Sequence, residues 1–181
     1  MKITPTHIEG VAIVDLEPRA DDRGFFARTF CREEFEEAGL VPAVEQCNLS
    51  FNHVKGTLRG MHMQVDPAPE AKLVRCTAGA VQDIIVDMRP GSPTRLQHVA
   101  VELTADNRRA LYVPPYFAHG YLTLTDGAEV FYQVSQAYTP GTERGLRYDD
   151  PDLALPWAVD VTVVSDKDKS WTLLADGAVV E

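Results

Sequence analysis

Leu58-Arg59-Gly60-Met61-His62-Met63-Gln64 reads as one strand. With a period of two, Leu58, Gly60, His62 and Gln64 face one way, and Arg59, Met61 and Met63 face the other. Gly60 permits a bulge there, which would re-aim Arg59. A histidine on such a strand is most often a satisfied interior residue. Its meaning therefore depends on what the rest of the chain brings beside it.

Working outward, the chain is punctuated by Gly and Pro, 12 of each, between short apolar stretches. That is the pattern of many strands joined by turns. Strands are expected at Val11 to Leu16, Phe25 to Phe30, Val44 to Ser50, Gly56 to Gln64 and Lys72 to Thr77. More follow at Val81 to Met88, His98 to Leu103, Arg109 to Val113, Tyr121 to Thr125 and Glu129 to Tyr138. Val130, Tyr132 and Val134 share one face of the last, with Phe131, Gln133 and Ser135 on the other. Ala78-Gly79 and Asp126-Gly127 read as hairpin turns. Arg32 to Ala38, rich in Glu, is the one clear helix, and Gly39 suits the position just past its end. About ten strands at this spacing imply an antiparallel sandwich or barrel rather than an α/β fold. A second histidine, His119, follows two prolines in Pro114-Pro115-Tyr116-Phe117-Ala118-His119-Gly120, where one strand ends and the next begins.

Composition sets the outer limits. The chain has 181 residues, 45% hydrophobic and 24% charged, which fits a single globular domain spanning 1–181. Seventeen Lys plus Arg against 27 Asp plus Glu leave a net charge of −10. Nucleic acid is not expected as a partner, because phosphate contacts along a duplex need a basic surface. A local basic pocket for a small phosphorylated ligand remains compatible with that charge. No apolar run approaches the ~18 residues of a membrane span, and Met1-Lys2-Ile3-Thr4-Pro5 does not open a signal peptide. Cys31, Cys47 and Cys76 are odd in number and form no Cys-x-x-Cys pair, so a reduced compartment is expected. A soluble, cytoplasmic protein follows as the expectation.

The two histidine segments lie one hairpin series apart, and that spacing resembles the cupin fold. The pattern there is Gly-x5-His-x-His, then Glu, then x6-Gly. Gly56 and His62 fit it, but Gln64 stands at the second histidine and Lys72 at the glutamate, ahead of Gly79. A charged ammonium has no lone pair to give a metal. One His, a Gln and a Lys make a poor ligand set, so no metal is expected. With those residues in place, the chain resembles the dTDP-4-dehydrorhamnose 3,5-epimerase family, metal-free cupins of deoxysugar-nucleotide biosynthesis. The likeness runs from Asp22-Arg23-Gly24-Phe25-Phe26 to Ser165-Asp166-Lys167-Asp168. Between them it takes in Ala71-Lys72-Leu73-Val74-Arg75, Asp87-Met88-Arg89-Pro90-Gly91-Ser92-Pro93-Thr94, Phe117-Ala118-His119-Gly120 and Tyr138-x-Pro140.

The resemblance implies an all-β, cupin-type double-stranded β-helix, a jelly-roll barrel with a short helix and an N-terminal strand arm. It implies an isomerase that inverts C3 and C5 of a dTDP-4-keto-6-deoxyhexose by moving protons next to the C4 ketone. No cofactor is implied, and no Gly-x-Gly-x-x-Gly is present. His62 matches the base, and an imidazole titrates near ~6.5, suited to neutral pH. Asp168 matches its partner and Tyr132 the proton donor on the opposite face. Lys72 matches the cation beside the C4 oxygen, where charge develops. Arg23, Arg59 and Lys167 match phosphate or substrate contacts, to which Arg brings a planar fork. Gln46 and Asn48, on one face of a strand, and His119 match polar substrate contacts. Tyr138 matches the residue stacked on the base, and Glu143 a further binding position. A homodimer sharing its N-terminal strands is implied as well. Arg28 stands where the family usually has Glu, Tyr116 where it has Gly, Met63 where it has an aromatic, Gln133 where it has Lys, and Ala137 where it has Tyr. A relative that inverts only C3 or only C5, or a binding protein without catalysis, shares much of this pattern.

Overall fold

The alternation of apolar and polar residues is satisfied by two sheets laid face to face in the computed structural model, which describes residues 1–177. In chain order the strands are β1 (Lys2–Pro5), β2 (Ala12–Asp15), β3 (Arg19–Asp21), β4 (Gly24–Phe26), β5 (Gln46–Asn52), β6 (Thr57–Gln64) and β7 (Lys72–Ala78). They continue with β8 (Ala80–Asp87), β9 (His98–Thr104), β10 (Ala110–Val113), β11 (Phe117–Thr123), β12 (Ala128–Val134), β13 (Glu143–Gly145) and β14 (Val163–Val164). Helices α1 (Arg32–Glu37) and α2 (Asp166–Lys169) are short. One sheet has the order β1-β2-β10-β7-β12-β5 and the other β13-β6-β11-β8-β9, with β14 parallel to β6. This is the jelly-roll barrel of the cupin class.

The core between the sheets holds Val74, Cys76, Val81, Ile85, Leu111, Phe117 and Val130, drawn from both sheets. Each sheet is also covered from outside. Met61, Met63, Ile84 and Val86 turn outward and are buried under Leu146 and Leu153. On the other sheet Val14, Leu73 and Tyr112 are buried under Phe35 of α1. That is why Ile84, Ile85 and Val86 of β8 form a continuous buried apolar run across both faces instead of alternating with polar residues.

Helix α1 ends as its sequence implies. Gly39 takes φ +71°, Leu40 N–H bonds Phe35 O at 2.9 Å and Gly39 N–H bonds Glu36 O at 3.0 Å. These are the two bonds of a Schellman motif, with Phe35 and Leu40 supplying its apolar contact.

Two expectations fail here. Ala78-Gly79 and Asp126-Gly127 do not close hairpins. Each joins a strand of one sheet to a strand of the other, β7 to β8 and β11 to β12. Gly79 at φ +69° and Gly127 at φ +64° supply the sharp bend either connection needs, so local chemistry does not separate them. Likewise the strand expected from Phe25 to Phe30 joins neither main sheet. β2 pairs with β1 and β10, while the strand expected from Phe25 to Phe30 shortens to β4 and pairs with β3 as a separate ribbon. Helix α2 was not foreseen, being only four residues long.

Candidate active site

Three strands bring the proposed chemistry into one cleft. β6 points His62 inward from one sheet, while β7 and β12 point Lys72 and Tyr132 inward from the other. The cleft has a chamber of about 720 Å³ that runs into one of about 290 Å³, and His62, Lys72 and Tyr132 line both.

The bulge foreseen at Gly60 is present. The register of β6 against β11 shifts between His119 and Tyr121, so that Arg59, like His62, lines the larger chamber. Gly60 sits at φ +140°, and a Cβ there would lie 2.4 Å from Gly120 Cα. Glycine is therefore required twice over, by conformation and by the close approach of β11. Arg59 is then steadied by Asn52, whose Oδ1 accepts from Nε at 2.8 Å. Asn52 and Ser50 also bond the Tyr121 hydroxyl, at 3.3 and 2.6 Å.

His62 Nε2 and Asp168 Oδ1 are 2.5 Å apart. Asp168 arrives on α2, whose first turn is capped by Ser165 Oγ accepting from Asp168 N–H at 3.1 Å. Burial alone pushes the Asp168 carboxyl up, but bonding and charge from His62, with Ser165 and the Gly60 N–H, hold it below the usual carboxylate range. A carboxylate held ionised against imidazole fixes the tautomer and favours the imidazolium once a proton is taken. Tyr132 faces His62 across the cleft. Burial, with Tyr121 and Glu70 nearby, pushes its phenol up, against a smaller opposing effect of Arg59. It therefore holds its proton throughout the neutral range.

The remaining expected residues divide clearly. His119 and Lys167 line the larger chamber, and Gln46, Asn48, Tyr138 and Glu143 the smaller. Lys167 Nζ pairs with Glu143 at 2.5 Å, joining the two groups across the mouth. Gln46 Oε1 accepts from Tyr138 N–H at 3.3 Å, and the Tyr138 ring stands 60% exposed on the lip. Arg23 is the exception. It sits at the tip of the β3–β4 ribbon, 90% exposed and paired with Asp21 at 2.6 Å, away from its own cleft. Arg28 is also remote, paired with Glu34 at 3.0 Å.

Sequence reasoning missed two carboxylates. Asp83 is fully buried in β8 and accepts from His119 Nε2 at 2.9 Å. An aspartate at an inward position of Val81-Gln82-Asp83-Ile84-Ile85-Val86 was the available signal. Glu70 pairs with Lys72 at 3.0 Å inside the smaller chamber. Gln64, at the second cupin histidine position, is 3% exposed and fully engaged. Its Oε1 accepts from Thr139 N–H at 2.7 Å and Thr142 Oγ at 3.2 Å. Among the described residues no cluster of three or more His, Cys, Asp or Glu is arranged to hold a metal.

A family model described as dTDP-4-dehydrorhamnose 3,5-epimerase matches residues 5–176. A protein of that name from Shigella flexneri is 41% identical over 169 residues, covering 93% of each chain. A dTDP-4-dehydrorhamnose 3-epimerase from Streptomyces niveus is 38% identical over 177 residues, covering 97% of this chain and 85% of its own. Among solved structures, a dTDP-6-deoxy-D-glucose-3,5-epimerase from Legionella pneumophila, in complex with dTDP-4-keto-L-rhamnose, superposes with TM-score 0.89. It is 38% identical, covering 96% of this chain and 93% of that one.

Proposed function

Because the chain belongs to the dTDP-4-dehydrorhamnose 3,5-epimerase family, we propose that its cleft binds a dTDP-4-keto-6-deoxyhexose and that His62, Tyr132, Lys72 and Asp168 carry the epimerisation. The chain is an isomerase acting on a nucleotide-linked deoxysugar. The observation that carries the assignment of residues is the placement of His62 on one wall of a shared chamber and of Tyr132 and the Lys72 cation on the other.

The chemistry follows from that placement. The C4 carbonyl acidifies the adjacent C–H bonds. His62 takes the proton from C3 or C5, and the C–H electron pair moves through the new C=C bond onto the C4 oxygen. Lys72 faces that oxygen and stabilises the enolate. Asp168 stabilises the imidazolium left on His62. Tyr132 then gives its proton to the opposite face of the carbon, which inverts it. Protons are exchanged with solvent afterwards, so the cycle is redox-neutral. Positioned acid–base groups contribute typically about 10²–10⁴-fold each. Arg59 and Lys167 suit the diphosphate, Gln46, Asn48 and His119 the sugar and nucleoside hydroxyls and carbonyls, and Tyr138 the base, with Glu143 fixing Lys167.

The substrate site would be completed by a second subunit. Arg23 cannot serve its own cleft from the ribbon tip, and Phe25 and Phe26 beside it are 46% and 69% exposed. A two-stranded ribbon is marginal alone and needs a surface to lie on. A homodimer in which each ribbon reaches the partner's cleft accounts for both. None of the helices among the described residues is long and apolar enough to cross a membrane, in keeping with a cytoplasmic enzyme.

A C3-only reaction is the second reading, favoured by the 3-epimerase relative at the same level of identity. Proton NMR of dTDP-4-keto-6-deoxyglucose incubated with the protein in deuterated water decides between them. Deuterium and inversion at both carbons are expected. Label at C3 alone selects the second reading, and label at neither carbon removes both.

A further inference from the structure

The cleft contains a carboxylate that the reaction does not call for. Glu70 lies in the smaller chamber with His62, Lys72 and Tyr132. A negative charge there opposes both a diphosphate ligand and an enolate, so its presence needs a reason. Its contacts supply one. Glu70 Oε1 is 3.0 Å from Lys72 Nζ, with the two side chains only 12% and 11% exposed. Its other oxygen, Oε2, accepts from Gln64 Nε2 at 3.3 Å. Gln64 is itself anchored at both ends, by Thr139 and Thr142 at its oxygen and at its nitrogen by the Ala68 and Ala137 carbonyls, each at 3.3 Å, which share its two N–H donors with Glu70.

We propose that Glu70 is a positioning residue, a bracket fixed on Gln64 that holds the Lys72 ammonium in place for the developing oxyanion. The inference rests on the role given to Lys72 above. A lysine stem has four rotatable carbons and about 2 kcal/mol of rotamer entropy, so an untethered ammonium spreads over many positions. The backbone end is already secured, since Lys72 pairs with Val113 and Val134 in the sheet. What remains loose is the tip. Glu70 takes one of its three donors and leaves two for the cleft. The same charge also helps keep the Tyr132 phenol protonated.

The test is a comparison of Glu70→Ala, Glu70→Gln and Lys72→Ala, measuring kcat, KM and thermal midpoint on dTDP-4-keto-6-deoxyglucose. Misplacing a catalytic group by about 1 Å costs on the order of 10²-fold, so Glu70→Ala should lose roughly 10- to 100-fold in kcat. KM should move by no more than about threefold, because the lost interaction matters only as charge develops. Glu70→Gln keeps an acceptor for Lys72, while Gln64 keeps its two carbonyl partners, so most of the lost kcat should return. A wild-type kcat in Glu70→Ala beside a crippled Lys72→Ala overturns the bracket alone. So does a Glu70→Gln variant that folds normally yet is as slow as Glu70→Ala. A wild-type kcat in Lys72→Ala overturns the role of Lys72 and the bracket with it.

Discussion

The proposed mechanism divides one reaction between His62 and Tyr132 on two faces of the sugar, and substitution can separate them. His62→Ala removes the base, and both epimerised product and deuterium wash-in should fall at least about 10²-fold. Tyr132→Phe keeps the ring and its packing but deletes the transferable proton. His62 can then still remove a proton and return deuterium to the same face, so label should enter while inverted product falls. Normal inversion by Tyr132→Phe would transfer the acid role to Tyr138. Their inward placement was legible from two local signals, the Gly-x5-His spacing and the alternation around Tyr132, while their roles rest on the family resemblance. Asp168 carried no such signal, since in Ser165-Asp166-Lys167-Asp168-Lys169 it looks like one charge among several. Only the fold brings it to His62 and buries it. Its titration gives a further prediction. The folded carboxyl sits below its ordinary range, so the stability it contributes is present above the unfolded value near ~3.9 and is lost as pH falls through the folded value. Urea melts from pH 7 to pH 3 should show the gap between wild type and Asp168→Asn narrowing below about pH 4. A gap that stays constant to pH 3 would show that folding does not hold this carboxyl below its ordinary range.

At the scale of elements, the site depends on a strand being imperfect. A regular β6 would turn Arg59 outward with Met61 and Met63, and the bulge at Gly60 returns it to the cleft. Gly60→Ala should therefore be costly. The conformation at φ +140° costs roughly 1–3 kcal/mol for a residue with a Cβ. The clash with Gly120 adds overpacking of similar size, about 1–3 kcal/mol. A fall in the urea midpoint with unchanged slope is the expected result, and an undiminished midpoint would show that β6 and β11 can part without loss. The bulge was readable in advance because glycine is the residue that permits it. The sheet exchange at Gly79 and Gly127 was not, because a Gly with positive φ serves a hairpin and a corner equally well. Which of the two forms is decided by partners far along the chain: β7 finds β10 and β12, and β8 finds β9 and β11. Glu70 escaped notice for a related reason. A Glu two residues before a Lys is ordinary in sequence, and only the inward turn of both side chains gives it meaning.

The whole molecule carries a net charge of −10 and must still collect a dianionic diphosphate. Within one chain the cations lining the cleft are few, and two of them are paired with carboxylates, Lys72 with Glu70 and Lys167 with Glu143, which leaves Arg59, bonded to the neutral Asn52, as the unpaired charge among the described residues. Arg23 lies outside its own cleft, paired with the exposed Asp21, on a ribbon whose Phe25 and Phe26 are exposed, which supports the proposal that it adds charge to a partner's cleft. Light scattering should accordingly give a particle of twice 20.0 kDa. Mass alone does not show that the sites are shared, but complementation does. Arg23→Ala should raise KM more than it lowers kcat, since it removes a binding charge. His62→Ala should abolish turnover. In a mixed dimer of the two chains, one cleft receives intact His62 from its own chain and intact Arg23 from its neighbour. The other cleft lacks both. Coexpression in equal amounts should thus return fully competent sites, with random pairing leaving roughly a quarter of them complete. At substrate concentrations well below the Arg23→Ala KM, the mixture should then turn over faster than the sum of its parents. Activity equal to that sum, or a 20.0 kDa particle at micromolar concentration, would mean that Arg23 and the ribbon serve no neighbouring cleft.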